Sequence, residues 1–124
     1  MVAGLGMDII EVERVADKIG RESGFRELVF SEREIDYCEA KANKFEHYAA
    51  RFAAKEAFFK ALGTGWLYGT AFKEVEVIND EQGKPVLGLL GETARLIDRM
   101  DYKGFSVSLS HLKTMAAAVV ILEK

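Results

Sequence analysis

Asp8, Glu56 and Lys60 are the side chains of this sequence whose types and setting suit chemistry on an anion. Glu56 and Lys60 sit in the stretch RFAAKEAFFKALGTG, 51–65, where charge is embedded among phenylalanine, alanine and leucine and the chain closes on Gly63-Thr64-Gly65. On a helix at about 100° per residue, Ala54, Phe58, Ala61 and Leu62 cluster on one core-facing side. Lys55 falls on the flank of that side, where its head group must snorkel out along its methylenes or meet a partner. Glu56 and Lys60 lie one turn apart in acid-before-base order, beside Phe52, Phe59 and Gly63. As an exposed pair they would add only about 0.2–0.5 kcal/mol to the helix. A carboxylate next to two phenylalanines is partly desolvated, however, and asks for a compensating cation or donor.

Asp8 ends an apolar stretch that reads as a strand, and in a small protein that strand packs against the longest helix available. If Asp8 and Glu56 converge, they offer two hard oxygen ligands, a set that suits Mg²⁺. That ion takes one or two protein carboxylates, keeps waters and completes its shell with substrate phosphate. Lys60 would be a point charge for the same phosphate. The Gly63-Thr64-Gly65 turn could bring backbone amides near an anion, but the carboxyl end of a helix is the wrong end for one, so the cations must dominate.

The elements that position these groups follow from pattern. Val2 to Ile10 reads as a buried strand whose glycines permit close backbone approach. Val12, Val15 and Ile19 recur at helical spacing, giving an amphipathic helix from Glu11 that frays near Gly20 or Gly24. Ser31 and Glu34 form a capping box, so a helix starts at Ser31 and runs to about Ala42. A longer helix follows from Phe45 to Leu62, closed by Gly63. Residues 72–79 and 85–90, joined by Asp80-Glu81-Gln82-Gly83, predict a β-hairpin. A short helix spans 92–100. Phe105, Val107 and Leu109 alternate with serines as a strand wet on one face, and Ala116 to Leu122 is a last, more buried strand. This order gives an α+β fold, a mainly antiparallel sheet packed against a long helix, in one domain over residues 1–124.

Composition narrows the function. The 124 residues carry a formal net charge of −3, so no global basic field favours nucleic acid as a partner. The longest apolar run, 115–122, is far short of the roughly 20 residues of a membrane span. The single cysteine, Cys38, and the absence of a signal-peptide pattern point to the cytoplasm. Arg14, Lys18, Arg21, Arg26 and Arg33 crowd the first third among acids, the pattern of a solvated helix face.

Three motifs then fall into one order: GMDIIEVERV at 6–15, RFAAKEAFFKALGTG at 51–65 and SLSH at 108–111. Together they resemble the holo-[acyl-carrier-protein] synthase family of small bacterial 4′-phosphopantetheinyl transferases, with the likeness covering nearly the whole chain. The resemblance implies Mg²⁺-dependent transfer of phosphopantetheine from coenzyme A to a serine of an acyl carrier protein, with 3′,5′-ADP released, for fatty acid biosynthesis. It assigns Asp8 and Glu56 as metal ligands and Lys60 to the diphosphate. Arg51 and His111 fall near the nucleotide's phosphates, and Gly63, Thr64, Gly65 and Pro85 line its pocket. The base that takes the serine proton stays open, a water at the metal with Glu56 or Lys55 beside it being one candidate. The resemblance also implies a homotrimer with active sites between subunits, to which the strands near Phe105 and Ala116 contribute. Arg14, Arg21 and Arg26, with Phe25 as an apolar anchor, become a docking surface for an acidic carrier protein. Leu28 and Leu112 depart from the family pattern, at a carrier contact and a nucleotide contact respectively. A coenzyme A-binding module without catalysis and a purely structural trimer are the alternatives from other classes.

Overall fold

The computed structural model describes residues 1–65 and 67–124; Trp66, inside the glycine-rich turn that precedes the hairpin, lies outside the described residues. Two antiparallel sheets are present, a three-stranded one in the order β1-β5-β4 and the hairpin β2-β3. The strands are β1 Val2–Glu11, β2 Val75–Asn79, β3 Pro85–Leu89, β4 Gly104–His111 and β5 Met115–Glu123. The helices are α1 Val12–Gly20, α2 Phe25–Val29, α3 Glu32–Glu39, α4 Lys44–Leu62 and α5 Gly91–Asp98. The α+β reading of the sequence holds.

Helix α4 is the centre of the molecule. It lies across the three-stranded sheet and divides the core in two. Around its second half Phe58, Phe59 and Ala61 meet Val75, Val77, Ala118, Val120 and Leu122. Around its first half Tyr48, Ala49 and Phe52 meet Val15, Phe30 and Cys38 from the preceding helices. The single core-facing side expected from the helical wheel is therefore too narrow. Twelve of its nineteen residues are buried, because sheet, hairpin and helices surround it. Alanine at six of those positions lets neighbouring backbones come close on every side.

The capping box forms as expected: Ser31 Oγ accepts from Glu34 N and the Glu34 side chain accepts from Ser31 N. Gly63 closes α4 in the left-handed conformation, φ +81°. Helix α3 stops at Glu39, short of the expected Ala42, and the five-residue α2 has no counterpart in the sequence reading. Phe72–Glu74 forms a 3₁₀ turn in place of the first hairpin residues.

Strand β1 requires a correction. It is an edge strand with one open face, not a buried strand. Gly4, Gly6 and Asp8 point to α4, while Leu5, Met7 and Ile9 point away and stay 65%, 59% and 60% exposed. In register beside them lie Ile121, Val119 and Ala117 of β5 and then Ser106, Ser108 and Ser110 of β4. The glycines had drawn attention to close packing, which they provide on one face only.

Candidate active site

Gly4 and Gly6 are what bring Asp8 to the helix. A Cβ on Gly6 would stand 2.0 Å from Ala57 O and 2.6 Å from Ala61 N, and one on Gly4 would stand 2.2 Å from Ala61 O. Backbone thus lies on backbone. Strand periodicity puts Asp8 on the same face as Gly6. Helix periodicity puts Glu56 and Lys60, each one residue before Ala57 and Ala61, on the adjoining flank. The result is an ion pair between Lys60 Nζ and Asp8 Oδ1 at 2.9 Å, with Met7 O accepting from the same ammonium at 3.1 Å. Lys60 thus reaches across to the strand rather than back to Glu56.

Glu56 is half-buried beside them. Burial pushes its carboxyl above the usual carboxylate range, the Asp8 charge pushes the same way, and Lys60 and Lys18 pull it back. Two carboxylates are thereby held close enough to repel. This donor set fits Mg²⁺, which takes one or two protein carboxylates: two hard anionic oxygens on one flank, with no cluster of three or more His, Cys, Asp or Glu side chains among the described residues.

Lys55 is removed from the proton-transfer role considered above. It is 0% exposed and donates to Glu34 Oε1 at 2.7 Å, Phe72 O at 2.9 Å and Val75 O at 2.6 Å. No proton of its ammonium is left for chemistry, and no solvent reaches it. Burial lowers its pKa while Glu34 opposes that shift. The second Glu34 oxygen accepts from Val77 N at 2.9 Å.

Arg51 and His111 form a second group, away from the first. Arg51 is 2% exposed; its Nη2 donates to Asn79 Oδ1 at 2.7 Å, its guanidinium stacks 4.3 Å from the Tyr37 ring, and its Nε has no partner among the described residues. His111 Nδ1 lies 2.8 Å from Glu46 Oε1, and its ring meets that of His47 at 5.1 Å. Tyr37 joins the two halves, with its ring 5.6 Å from that of His47. Burial, followed by the charges of His111, Arg51 and Lys41, holds the His47 imidazole below its ordinary value. Tyr37, His47 and Asn79 were missed in the sequence; the i,i+4 spacing of His47 and Arg51 was the available signal. Pro85 pairs with Asn79 across the hairpin and so belongs to this group.

The two groups face different ways. Around α4, Arg51 lies about 140° from Glu56 and about 180° from Lys60. Gly63, Thr64 and Gly65 follow Lys60 at the helix end, on the first group's side, with Gly65 at φ +68° and Thr64 Oγ1 donating to Gly65 O at 3.2 Å.

The proposed docking residues lie on α1 and α2. Arg14 and Arg21 are exposed and form no ion pair among the described residues. Arg26 is instead tied to Glu27 at 2.8 Å and Glu39 at 3.2 Å. Phe25 packs edge-on against Phe52 at 5.8 Å, and Lys18 Nζ lies 5.5 Å and 5.8 Å from those two rings. Lys18 therefore links the basic face of α1 to the flank that carries Glu56. Leu28 and Leu112 are both 70% exposed.

The sequence pattern of the 4′-phosphopantetheinyl transferase superfamily matches residues 4–119, and the chain belongs to that superfamily. Holo-[acyl-carrier-protein] synthases are among its full-length relatives. That of Cytophaga hutchinsonii is 45% identical, over 100% of this chain and 99% of its own length. The crystal structure of the Bacillus anthracis holo-(acyl-carrier-protein) synthase, in complex with coenzyme A (3′,5′-ADP), is 35% identical with a TM-score of 0.80, covering 99% of this chain and 97% of that one. The Helicobacter pylori enzyme, solved with coenzyme A, is 29% identical with a TM-score of 0.83, covering 96% and 99%. The chain is thus a transferase, which displaces the non-enzymatic alternatives.

Proposed function

We propose that this chain transfers 4′-phosphopantetheine from coenzyme A to a serine of an acyl carrier protein, with Mg²⁺ and release of 3′,5′-ADP, in the fatty acid biosynthesis of the cytoplasm. The observation that carries the proposal is the convergence of Asp8, Glu56 and Lys60 on one flank of α4. Asp8 and Glu56 would hold Mg²⁺, which when bound supplies neutralising charge on the coenzyme A diphosphate. Lys60 is the protein's own cation for the same group. The serine oxygen bonds to the phosphorus next to pantetheine as the bridging P–O bond breaks and 3′,5′-ADP leaves. The reaction asks mainly for positioning and electrostatics, which rigid α4 and β1 supply. With Lys55 excluded, Glu56 is the side chain at hand for the serine proton.

Arg51 and His111 suit the phosphates at the nucleotide end, with Pro85 and the Gly63–Gly65 turn as pocket walls. Because Arg51 points nearly opposite to Lys60 on one helix, a single copy does not present both groups to one ligand. That supports a homotrimer with its active sites between subunits. The open face of β1, β5 and β4, lined by Leu5, Met7, Ile9, Val119 and Ile121, is an apolar surface suited to such an interface. Arg14 on α1 and Arg21 just past its end, without ion pairs among the described residues, suit steering of an acidic carrier protein; Arg26 serves only once freed from Glu27 and Glu39.

Incubation with coenzyme A, Mg²⁺ and apo carrier protein tests the reading. Mass spectrometry should show one phosphopantetheine added per carrier serine, and none with a chelator present. An unchanged carrier mass under all conditions would overturn it. Light scattering on the eluting protein tests the trimer.

A further inference from the structure

We propose that Lys55 is a positioning residue for the reaction, and that its buried ion pair with Glu34 fixes the rotation of α4 that presents Glu56 to Asp8. The inference rests on the two-carboxylate reading above and adds to it the group that holds one carboxylate in place.

All three ammonium protons of Lys55 are used on three different elements: Glu34 of α3, Phe72 in the 3₁₀ turn and Val75 of β2. Glu34 is equally committed, 1% exposed, with Oε1 also accepting from Ser31 N at 2.9 Å and Oε2 from Val77 N at 2.9 Å. Ser31 in turn donates to Glu76 Oε2 at 2.6 Å, and Glu76 is itself buried. Such a network is a poor source of stability, because a buried ion pair is often matched by apolar side chains of equal volume. Direction is what it does supply. Each bond fixes an angle as well as a distance.

The direction matters because of where Lys55 stands on the helix. Ala57, pressed against Gly6, is about 200° around α4 from Lys55, and Glu56 lies about 100° from each. The helix is therefore held at two opposed points, backbone against β1 on one side and three directed bonds on the other. Between them the Glu56 carboxylate is aimed at the flank where Asp8 and Lys60 meet. The other contacts on the Lys55 side are one directed bond a turn earlier, Arg51 Nη2 to Asn79 Oδ1 at 2.7 Å, and aromatic packing, Phe52 and Phe59 against Phe72 at 6.1 Å and 5.3 Å, which restrains rotation less sharply. Phe72, in the 3₁₀ turn, and Val75, the first residue of β2, lead into the hairpin, so the same ammonium also holds the start of that hairpin.

The test compares full-length Lys55→Met and Lys55→Met/Glu34→Gln with the unmodified chain. Thermal unfolding reports stability, and calorimetric titration of coenzyme A with Mg²⁺ and with chelator reports the metal-dependent part of its affinity. The single variant leaves Glu34 buried without its cation and loses thermal stability; the double variant recovers most of it. If Lys55 positions Glu56, the double variant still shows a Mg²⁺-dependent gain in affinity reduced about tenfold and a similarly reduced kcat, with the carrier-protein KM unchanged. Glu34→Gln leaves Lys55 buried without its anion and loses stability as Lys55→Met does; measured below its melting transition, it shows the same split in the Mg²⁺-dependent gain. Recovery of stability together with the full Mg²⁺-dependent gain would overturn the inference and leave the two-carboxylate reading standing. No Mg²⁺-dependent gain in the unmodified chain would overturn both.

Discussion

Replacing Gly6 by alanine tests the packing that underlies the site. The added Cβ would lie 2.0 Å from Ala57 O and 2.6 Å from Ala61 N, about 1.4 Å inside ordinary contact with the first. Neither neighbour is a flexible side-chain end, so α4 and β1 must separate. Overpacking of this kind costs about 1–3 kcal/mol, and two backbone contacts argue for the upper end. In a chain of this length that corresponds to a fall in Tm of roughly 10 °C. The separation falls between Asp8, two residues along the strand, and the Glu56–Lys60 flank. A displacement near 1 Å in a positioned site costs about 10²-fold, so kcat/KM should fall about 100-fold in the folded variant. The assay is carrier-protein modification at a temperature below both melting transitions, with Gly88→Ala as control, since a Cβ there meets nothing within 4 Å. Near-native turnover by Gly6→Ala would show that this close approach does not set the geometry of the acids.

Asp8→Ala and Glu56→Ala should each lower turnover by about 10³-fold or more while the fold persists, since several kcal/mol of charge stabilisation are removed; activity resistant to either change, or to chelation, contradicts the metal role. Glu56 gives a pH test. Its folded pKa is raised above 4.5, so the folded state binds more protons in that window and the metal-free protein loses stability as pH rises through the raised value. Glu56→Gln should therefore melt higher than the unmodified chain at neutral pH in chelator, with the difference vanishing in acid. Arg14→Ala should raise the carrier-protein KM and flatten its dependence on salt, and an unchanged KM at low salt would remove Arg14 from docking. Burial pushes the Cys38 thiol from 9.0 up to about 12. The native protein should therefore resist thiol reagents at pH 9, and Cys38→Ala should reduce the loss of stability seen between about pH 9 and 12.

Local chemistry made much of the fold legible. The Ser31–Glu34 capping box, the Gly63 terminus and the hairpin loop each act over a few residues, and each lies where its pattern placed it. The alternation of β4 was equally clear, and β5 was legible from its apolar run. What could not be read was set by distant parts of the chain. The strand β1 carries glycine and leucine in turn, and only the position of α4 decides which of the two is buried. Helix α4 has charged residues at positions that look like a flank, yet Lys55 is fully enclosed because α3 and the hairpin close over it. In the site, the acid–lysine group was found from residue type and strand-helix packing, whereas Arg51 and His111 came through family resemblance alone. Tyr37 gave no signal, and His47 only its i,i+4 spacing to Arg51, because stacking joins residues from three elements.

The central claim is that Asp8 and Glu56 grip one divalent ion against the coenzyme A diphosphate. Crystals grown with coenzyme A and Mn²⁺ test it most directly, through the anomalous signal of the metal. A single strong peak between the two carboxylates, bonded to a phosphate oxygen and close to Lys60, is the predicted result. Coenzyme A bound in the pocket with its diphosphate held by lysine and arginine alone, and no peak beside Asp8 and Glu56, would contradict it.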